Sequence, residues 1–216
     1  MTMTQIRPIE RLPINEDFAR PASQAALERA AEALRSRSID ARIVADAAQA
    51  RELVLSLVPE GAEVGQGASA TLEQLGVTET IEASGRYDAV RPKTRSMDRA
   101  TQMREIRKLA AAPDVFVNSV QAVTEEGQMV IASATGSQLG PIASGAGRVI
   151  LVAGAQKVVP DLATALRRVD EYSFPIEDAR MQEAYGRHSS VNKMLIVNGE
   201  YPNRMTVILV REPVGI

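Results

Sequence analysis

The sequence predicts an α/β fold with a mainly parallel sheet. Strand-like apolar runs alternate with segments of helical period along the chain, which is the pattern of successive βα units joined by connections of one hand. The most apolar run, "RVILVAG" from Arg148 to Gly154, has no polar face, as a parallel strand covered on both sides requires. The length of 216 residues suits one domain and one core.

Residues 1 to 21 read as an extended arm, with Pro8, Pro13 and Pro21 and no sustained period, that packs on a partner subunit or frays. Residues 22 to 216 form the single domain. From Ser23 to Arg37, Ala26, Leu27, Ala30 and Leu34 recur at helical spacing between charges, giving a surface helix. "ARIVA" (Ala41 to Ala45) is a short strand, and Asp46 caps a helix that Pro59 stops. "AEVGQ" is the next strand and "SATLEQLG" a short helix with Gly76 as its C-cap. Ser84 to Ser96 is basic, turn-rich and aperiodic, and is expected to be a long loop. Helical spacing resumes through Met103, Ile106 and Leu109 in a segment running from Met97 to Ala112, and Pro113 ends it. "DVFVNSV" is a buried strand, and "QAVTEEGQMVIASAT" is a hairpin with Gly127 at the position that needs positive φ. After "RVILVAG" comes the helix "PDLATALRRVD", opened by a first-turn proline. Glu171 to Ser190 receives no element, and "KMLIVNG" and "RMTVILVRE" are the last strands.

Bulk properties exclude several functions. The net charge of −2, with 24% charged residues, supplies no general field for nucleic acid or anionic membrane. The longest apolar run, Val149 to Ala155, is far short of the roughly 18 residues of a membrane span. The first residues lack the basic end and apolar centre of a secretory signal, so a cytoplasmic location is expected. With no cysteine and one histidine, His188, the chain cannot hold an iron–sulfur cluster by thiolates, build a thiolate-rich zinc site or use a cysteine nucleophile. No metal and no cofactor is expected.

Candidate chemistry gathers in two clusters. "EVGQGASATLEQLG", residues 63 to 76, runs from a strand through Gly65 and Gly67 into the start of a helix. The glycines would let an anion approach the backbone, with Ser69 and Thr71 donating hydroxyls. Ala70 stands where a dinucleotide fingerprint needs glycine and no Walker lysine follows, so the loop either holds an anion or turns a corner with glycines that serve packing. In the second cluster Asn118 follows a buried strand, and Thr135, Gly136, Ser137 and Gln138 open another cradle. Glu125 and Glu126 are either catalytic acids or a solvated hairpin tip. Lys157, after the strongest strand, either pairs with an anionic substrate or is a solvated loop residue. Arg91, Lys93 and Arg95 are a clamp over the glycine loop or a solubilising stretch. His188 is a surface histidine or a general base, and Met97, Met103 and Met181 are assigned to packing.

"VGQGASATLEQLGV", "PDVFVNSVQAVTEEGQMV", "ATGSQLG" and "RVILVAGAQKVVPDLATALRRV", in that order, resemble the lactate-utilisation (LUD) domain family over about Ala41 to Glu212. The resemblance implies a three-layer α/β/α fold of the NagB/RpiA/CoA transferase-like group, in which the first glycine loop commonly receives a phosphate or acyl carrier. It also implies a setting, similarity to the small third component of the bacterial system that oxidises L-lactate to pyruvate. The chain would then be a non-redox subunit, or an anionic-metabolite-binding partner, of cysteine-rich iron–sulfur proteins. The alternatives are an independent enzyme on a phosphosugar or CoA ester, with Glu125 or Glu126 as base and Lys157 holding the anion, or a ligand-sensing regulator. Related isomerases transfer protons with an aspartate where this chain has Gln121, and an amide cannot be a general base. The apolar last strands and the arm suit a homodimer.

Overall fold

The computed structural model describes residues 12–216, so the first part of the expected arm, residues 1–11, lies outside the described residues. Six parallel strands make the central sheet: β1 (Asp40–Val44), β2 (Glu63–Gln66), β3 (Asp88–Ala89), β4 (Val115–Ser119), β7 (Arg148–Gly154) and β10 (Met205–Val210). Their spatial order is β1-β10-β7-β4-β2-β3. The helices are α1 (Gln24–Ser36), α2 (Ala47–Leu57), α3 (Ala70–Gln74), α4 (Val77–Ala83), α5 (Val90–Ser96), α6 (Met103–Ala111), α7 (Leu162–Arg168) and α8 (Phe174–Tyr185).

Strand β7 shows why the layers form. Val149, Leu151 and Ala153 enter a core shared with Ala30 and Leu34 of α1, while Ile150 and Val152 enter another shared with Val54, Leu72 and Ile81. Side chains alternate across a strand, so an all-apolar strand must be covered on both faces.

A second sheet stands beside the first. It contains β5 (Ala122–Thr124), β6 (Met129–Ser133), β8 (Val158–Val159) and β9 (Lys193–Val197) in the order β8-β5-β6-β9. The sequence anticipates the β5–β6 hairpin and the strand at β9, but not that they pair with each other. Val123, Met129 and Ile131 face the α1 core, while Ala122, Val130 and Ala132 pack with Ala165 of α7 and with Val169. This sheet is therefore also buried on two sides.

Local chemistry sets the element ends. Ser23 Oγ accepts from the Ala26 N–H at 3.2 Å, and Asp46 Oδ1 accepts from the Gln49 N–H at 2.8 Å, each satisfying an otherwise orphaned helix donor. We expect Asp46→Ala to lower stability by about 1 kcal/mol in urea denaturation. An unchanged midpoint would show that solvent replaces the cap.

Three stretches differ from the expectation. Ser84 to Ser96 is not a loop, since it contains β3 and α5, whose basic side chains are paired: Arg95 lies 2.8 Å and Arg91 3.2 Å from Glu82, and Lys93 lies 2.5 Å from Asp88. The helix expected from Met97 starts at Met103, because Asp98 ties a turn by accepting from the Ala100 N–H at 2.9 Å and the Thr101 hydroxyl at 2.8 Å. Glu171 to Ser190, left without an element, is mostly helical. Val169–Ser173 forms a π-helical turn between α7 and α8. Pro175 explains that turn, since it has no N–H for the Glu171 carbonyl and its ring crowds that oxygen. The freed carbonyl accepts instead from the Asn15 N–H at 2.9 Å. The described end of the arm thus packs on its own chain, through a 3₁₀ turn at Glu16–Ala19 and a bond from the Ala22 N–H to the Ala155 carbonyl of 3.1 Å.

Candidate functional site

Ligands of open α/β sheets gather beyond the carboxyl ends of the strands, and a cleft of about 640 Å³ lies there. One wall is the start of α3, with Ser69 and Thr71; another is the turn after β6, with Thr135, Ser137 and Gln138. Lys157 follows β7 into the cleft, and α8 with the segment after it supplies Glu177, Arg180 and His188. A second depression, of about 480 Å³, lies at the opposite ends of the strands, lined by Glu60, Asp114 and Arg148. It is the more open of the two, and its polar groups serve the fold: Asp114 accepts from the Glu63 N–H at 3.0 Å and Arg148 donates to the Leu57 carbonyl at 3.3 Å.

Lys157 is 1% exposed, and its Nζ donates to Thr71 Oγ1 at 2.9 Å. No carboxylate pairs with it among the described residues. Burial first, and the positive charge of Arg168 second, push its pKa well below the ordinary lysine value of 10.5. Arg168 is fully buried and clasps two loops, donating Nε to the Gln156 carbonyl at 3.0 Å and Nη1 to the Gln121 carbonyl. Its Nη2 has no hydrogen-bond partner, its guanidinium carbon lies 5.0 Å from the ring centre of Tyr172, and burial brings its pKa down to about 10. A buried amine and a buried guanidinium thus stand near one another, and among the described residues no carboxylate pairs with either, an arrangement that costs stability until a counter-charge arrives.

Further hydroxyls line the cleft. Ser69 caps α3 through the Leu72 N–H at 3.3 Å and donates its hydroxyl to Ser119 Oγ at 2.9 Å. Thr135 Oγ1 accepts from the Ser137 N–H at 3.3 Å. The loop at Thr71 is backed by Gly215, where a Cβ would come within 2.1 Å of Thr71 Oγ1. Gln156 holds that segment, its amide nitrogen donating to the carbonyls of Val214 and Gly215 at 3.0 Å.

Gly65 and Gly67 are taken up by the chain's own side chains. A Cβ on Gly65 would meet Pro113 at 2.8 Å and Phe116 at 2.9 Å; one on Gly67 would meet Asn118 Nδ2 at 2.9 Å. Gly65, Gly67 and Asn118 therefore pack behind the cleft rather than line it. Gly136 is likewise engaged, with φ +84 and its N–H donated to Ser133 Oγ at 2.8 Å. Ser69, Thr71, Thr135, Ser137 and Lys157 do share the cleft.

Glu125 and Glu126 lie outside it. Glu125 is paired with Arg29 of α1 at 2.5 Å, and the Glu126 carbonyl accepts from Arg37 at 3.0 Å. The hairpin tip is pinned on α1, so neither acid meets the hydroxyls or the lysine. Arg91, Lys93 and Arg95 also lie outside, held by the carboxylates around α5. Gln121 lines the cleft, but its amide oxygen accepts from the Ala132 N–H at 2.8 Å and serves the hairpin.

Sequence reasoning missed Arg168, Asp178 and the placement of His188. The one available signal for the last two was Gly186 after an unassigned periodic stretch, a helix C-cap that returns the chain. Among the described residues no cluster of three or more His, Asp or Glu could hold a metal, and no helix is long and apolar enough to cross a membrane.

The LUD domain family matches residues 27–210 of the chain. No functionally curated protein matches it. Among solved structures, a DUF162 family protein from Deinococcus radiodurans is similar with a TM-score of 0.50 at 15% identity, over 88% of this chain and 99% of that one. Ribose 5-phosphate isomerase from Plasmodium falciparum is similar over 53% of this chain and 52% of its own, with a TM-score of 0.32 and 14% identity.

Proposed function

The chain belongs to the LUD domain family, and from that premise we propose that it takes a small organic anion into the cleft as a non-redox component of lactate utilisation. The observation that carries this reading is the buried Lys157, bonded to Thr71 and without a carboxylate partner among the described residues. A carboxylate or phosphate entering beside it supplies the missing counter-charge, and the hydroxyls of Thr71, Thr135 and Ser137 supply neutral donors. The volume of about 640 Å³ lies within the range of small-molecule sites, roughly 300–1,000 Å³. The chain has no cysteine, so electrons from lactate would travel through separate cysteine-rich iron–sulfur partners. A preparation of this chain alone that oxidises lactate would overturn the non-redox part.

The first experiment is a thermal-shift series with lactate, pyruvate, inorganic phosphate and sugar phosphates. An anion at 100 times its dissociation constant adds about 2.7 kcal/mol of stability. Binding is also expected to take up a proton, because the anion reverses the depression of the Lys157 pKa. Affinity is accordingly greatest below the empty-site Lys157 value and falls as pH rises through it, a loss that sets in below pH 10.5. Calorimetry in buffers of different ionisation enthalpy measures the uptake; proton release on binding would contradict the assignment of Lys157.

A further inference from the structure

His188 of the cleft wall pairs with Asp178 behind it, and anion binding leaves this pair unused. Helix α8 ends at Gly186, whose φ of 64 turns the chain back so that His188 lies over Asp178 of the same helix. His188 Nδ1 is 3.0 Å from Asp178 Oδ2 and 3.2 Å from Oδ1. Asp178 is 2% exposed and is locked in place by the Ser189 N–H and by Gln182 Nε2, each donating at 2.6 Å. Burial works against its charge, yet the bonds from His188, Ser189 and Gln182 together hold its carboxyl below the usual carboxylate range. Nδ1 also has Gln182 Nε2 at 3.0 Å, so an acceptor and a donor both stand beside it; because both oxygens of the ionised carboxylate approach it and only accept, we assign the proton of a neutral His188 ring to Nδ1 and the lone pair to Nε2. The His188 side chain is 70% exposed and lines the same cleft as Lys157 and Thr71. A buried carboxylate that fixes the tautomer of a cleft histidine is the arrangement general-base chemistry requires.

We propose that His188, oriented by Asp178, removes a proton from the carbon next to the carbonyl of a small anionic oxo compound held at Lys157. The inference rests on the anion site proposed above. In the step the C–H bond breaks, its proton passes to Nε2, and its electron pair moves to the carbonyl oxygen as an enolate. Lys157 and Thr71 are the donors that stabilise this oxygen. The proton returns in reverse, and exchange of the imidazole with solvent closes the cycle without a co-reactant.

The test is deuterium uptake from D₂O into pyruvate and into dihydroxyacetone phosphate, followed by NMR, with thermal shift of the same samples reporting binding. The two probes separate a carboxylate ligand from a phosphate ligand. We expect exchange above the protein-free rate for at least one probe, and a loss of about 100-fold or more in His188→Gln while the probe still shifts that variant's thermal midpoint. Because His188 is the one histidine of the chain, ¹⁵N NMR reads its tautomer directly, and Asp178→Asn should lose both the Nδ1–H preference and the exchange. A bound probe that does not exchange, exchange unchanged in His188→Gln, or an Nε2–H tautomer in the unaltered protein overturns the inference and leaves the anion site standing. If neither probe shifts the midpoint, the anion site itself fails for these ligands, and the inference falls with it.

Discussion

Replacing Lys157 by methionine is expected to raise the thermal midpoint of the ligand-free protein and to abolish its response to small anions. Methionine keeps the length of the side chain and removes a fully buried amine that bonds the Thr71 hydroxyl and has no carboxylate partner among the described residues. The gain in the empty protein should be roughly 1–3 kcal/mol, the scale of a buried polar group relieved of its desolvation. It should also depend on pH in a defined sense. Lys157 titrates below 10.5 in the folded chain, so between its folded value and 10.5 the unfolded state binds more protons and stability rises with pH. The penalty that methionine removes is therefore full below the folded value and absent above 10.5. The second half of the result is the loss of the roughly 2.7 kcal/mol that an anion at 100 times its dissociation constant adds to the unaltered protein. Denaturant melts with and without ligand measure both halves. A variant that is less stable when empty yet still responds to anions would make Lys157 a packing residue and place the ligand elsewhere.

Gly127→Ala should cause the largest loss of stability of the single changes considered. Gly127 has φ +81 at the tip of the β5–β6 hairpin, and a Cβ there would come within 2.6 Å of the Ala33 carbonyl carbon and 2.9 Å of the Leu34 nitrogen. The left-handed backbone costs an alanine roughly 1–2 kcal/mol. Forcing the tip away from α1 adds about 1–3 kcal/mol, as overpacking typically does. Together these come to about 2–5 kcal/mol in urea unfolding. Since the tip is pinned on α1 and lies outside the cleft, anion affinity in the folded variant should be unchanged. Lost affinity at full folding would tie the hairpin tip to the site after all.

The same hairpin shows how far local sequence reaches. Its glycine at a positive-φ position is legible from "TEEGQ", because turn geometry depends on neighbouring residues alone. Where the tip points is not, because the Arg29–Glu125 contact joins residues 96 apart. For that reason the two acids looked available for catalysis in the sequence and are held against a helix in the fold. The α8 region was opaque for another reason. Pro175 stands inside it, and the π-helical turn at Val169–Ser173 lets the helical run pass the proline, with the arm's Asn15 covering the carbonyl that it leaves unbonded.

By itself the sequence determined the alternation of strands and helices, the cap at Asp46, the two-faced burial of "RVILVAG" and the absence of thiolate chemistry, since period, capping and composition act over a few residues, whereas the helix expected to open at Pro160 is capped one residue later by Asp161. Only the tertiary structure decided that the hairpin and β9 form a second sheet, that the side chains of Phe116 and Asn118 press on Gly65 and Gly67, and which polar residues face one cleft. Lys157 finds Thr71 across 86 residues and Ser69 finds Ser119 across 50, and such pairs exist only once the sheets have packed. A buried charge gains its meaning from what surrounds it in three dimensions, and no spacing along the chain records that a carboxylate is missing there.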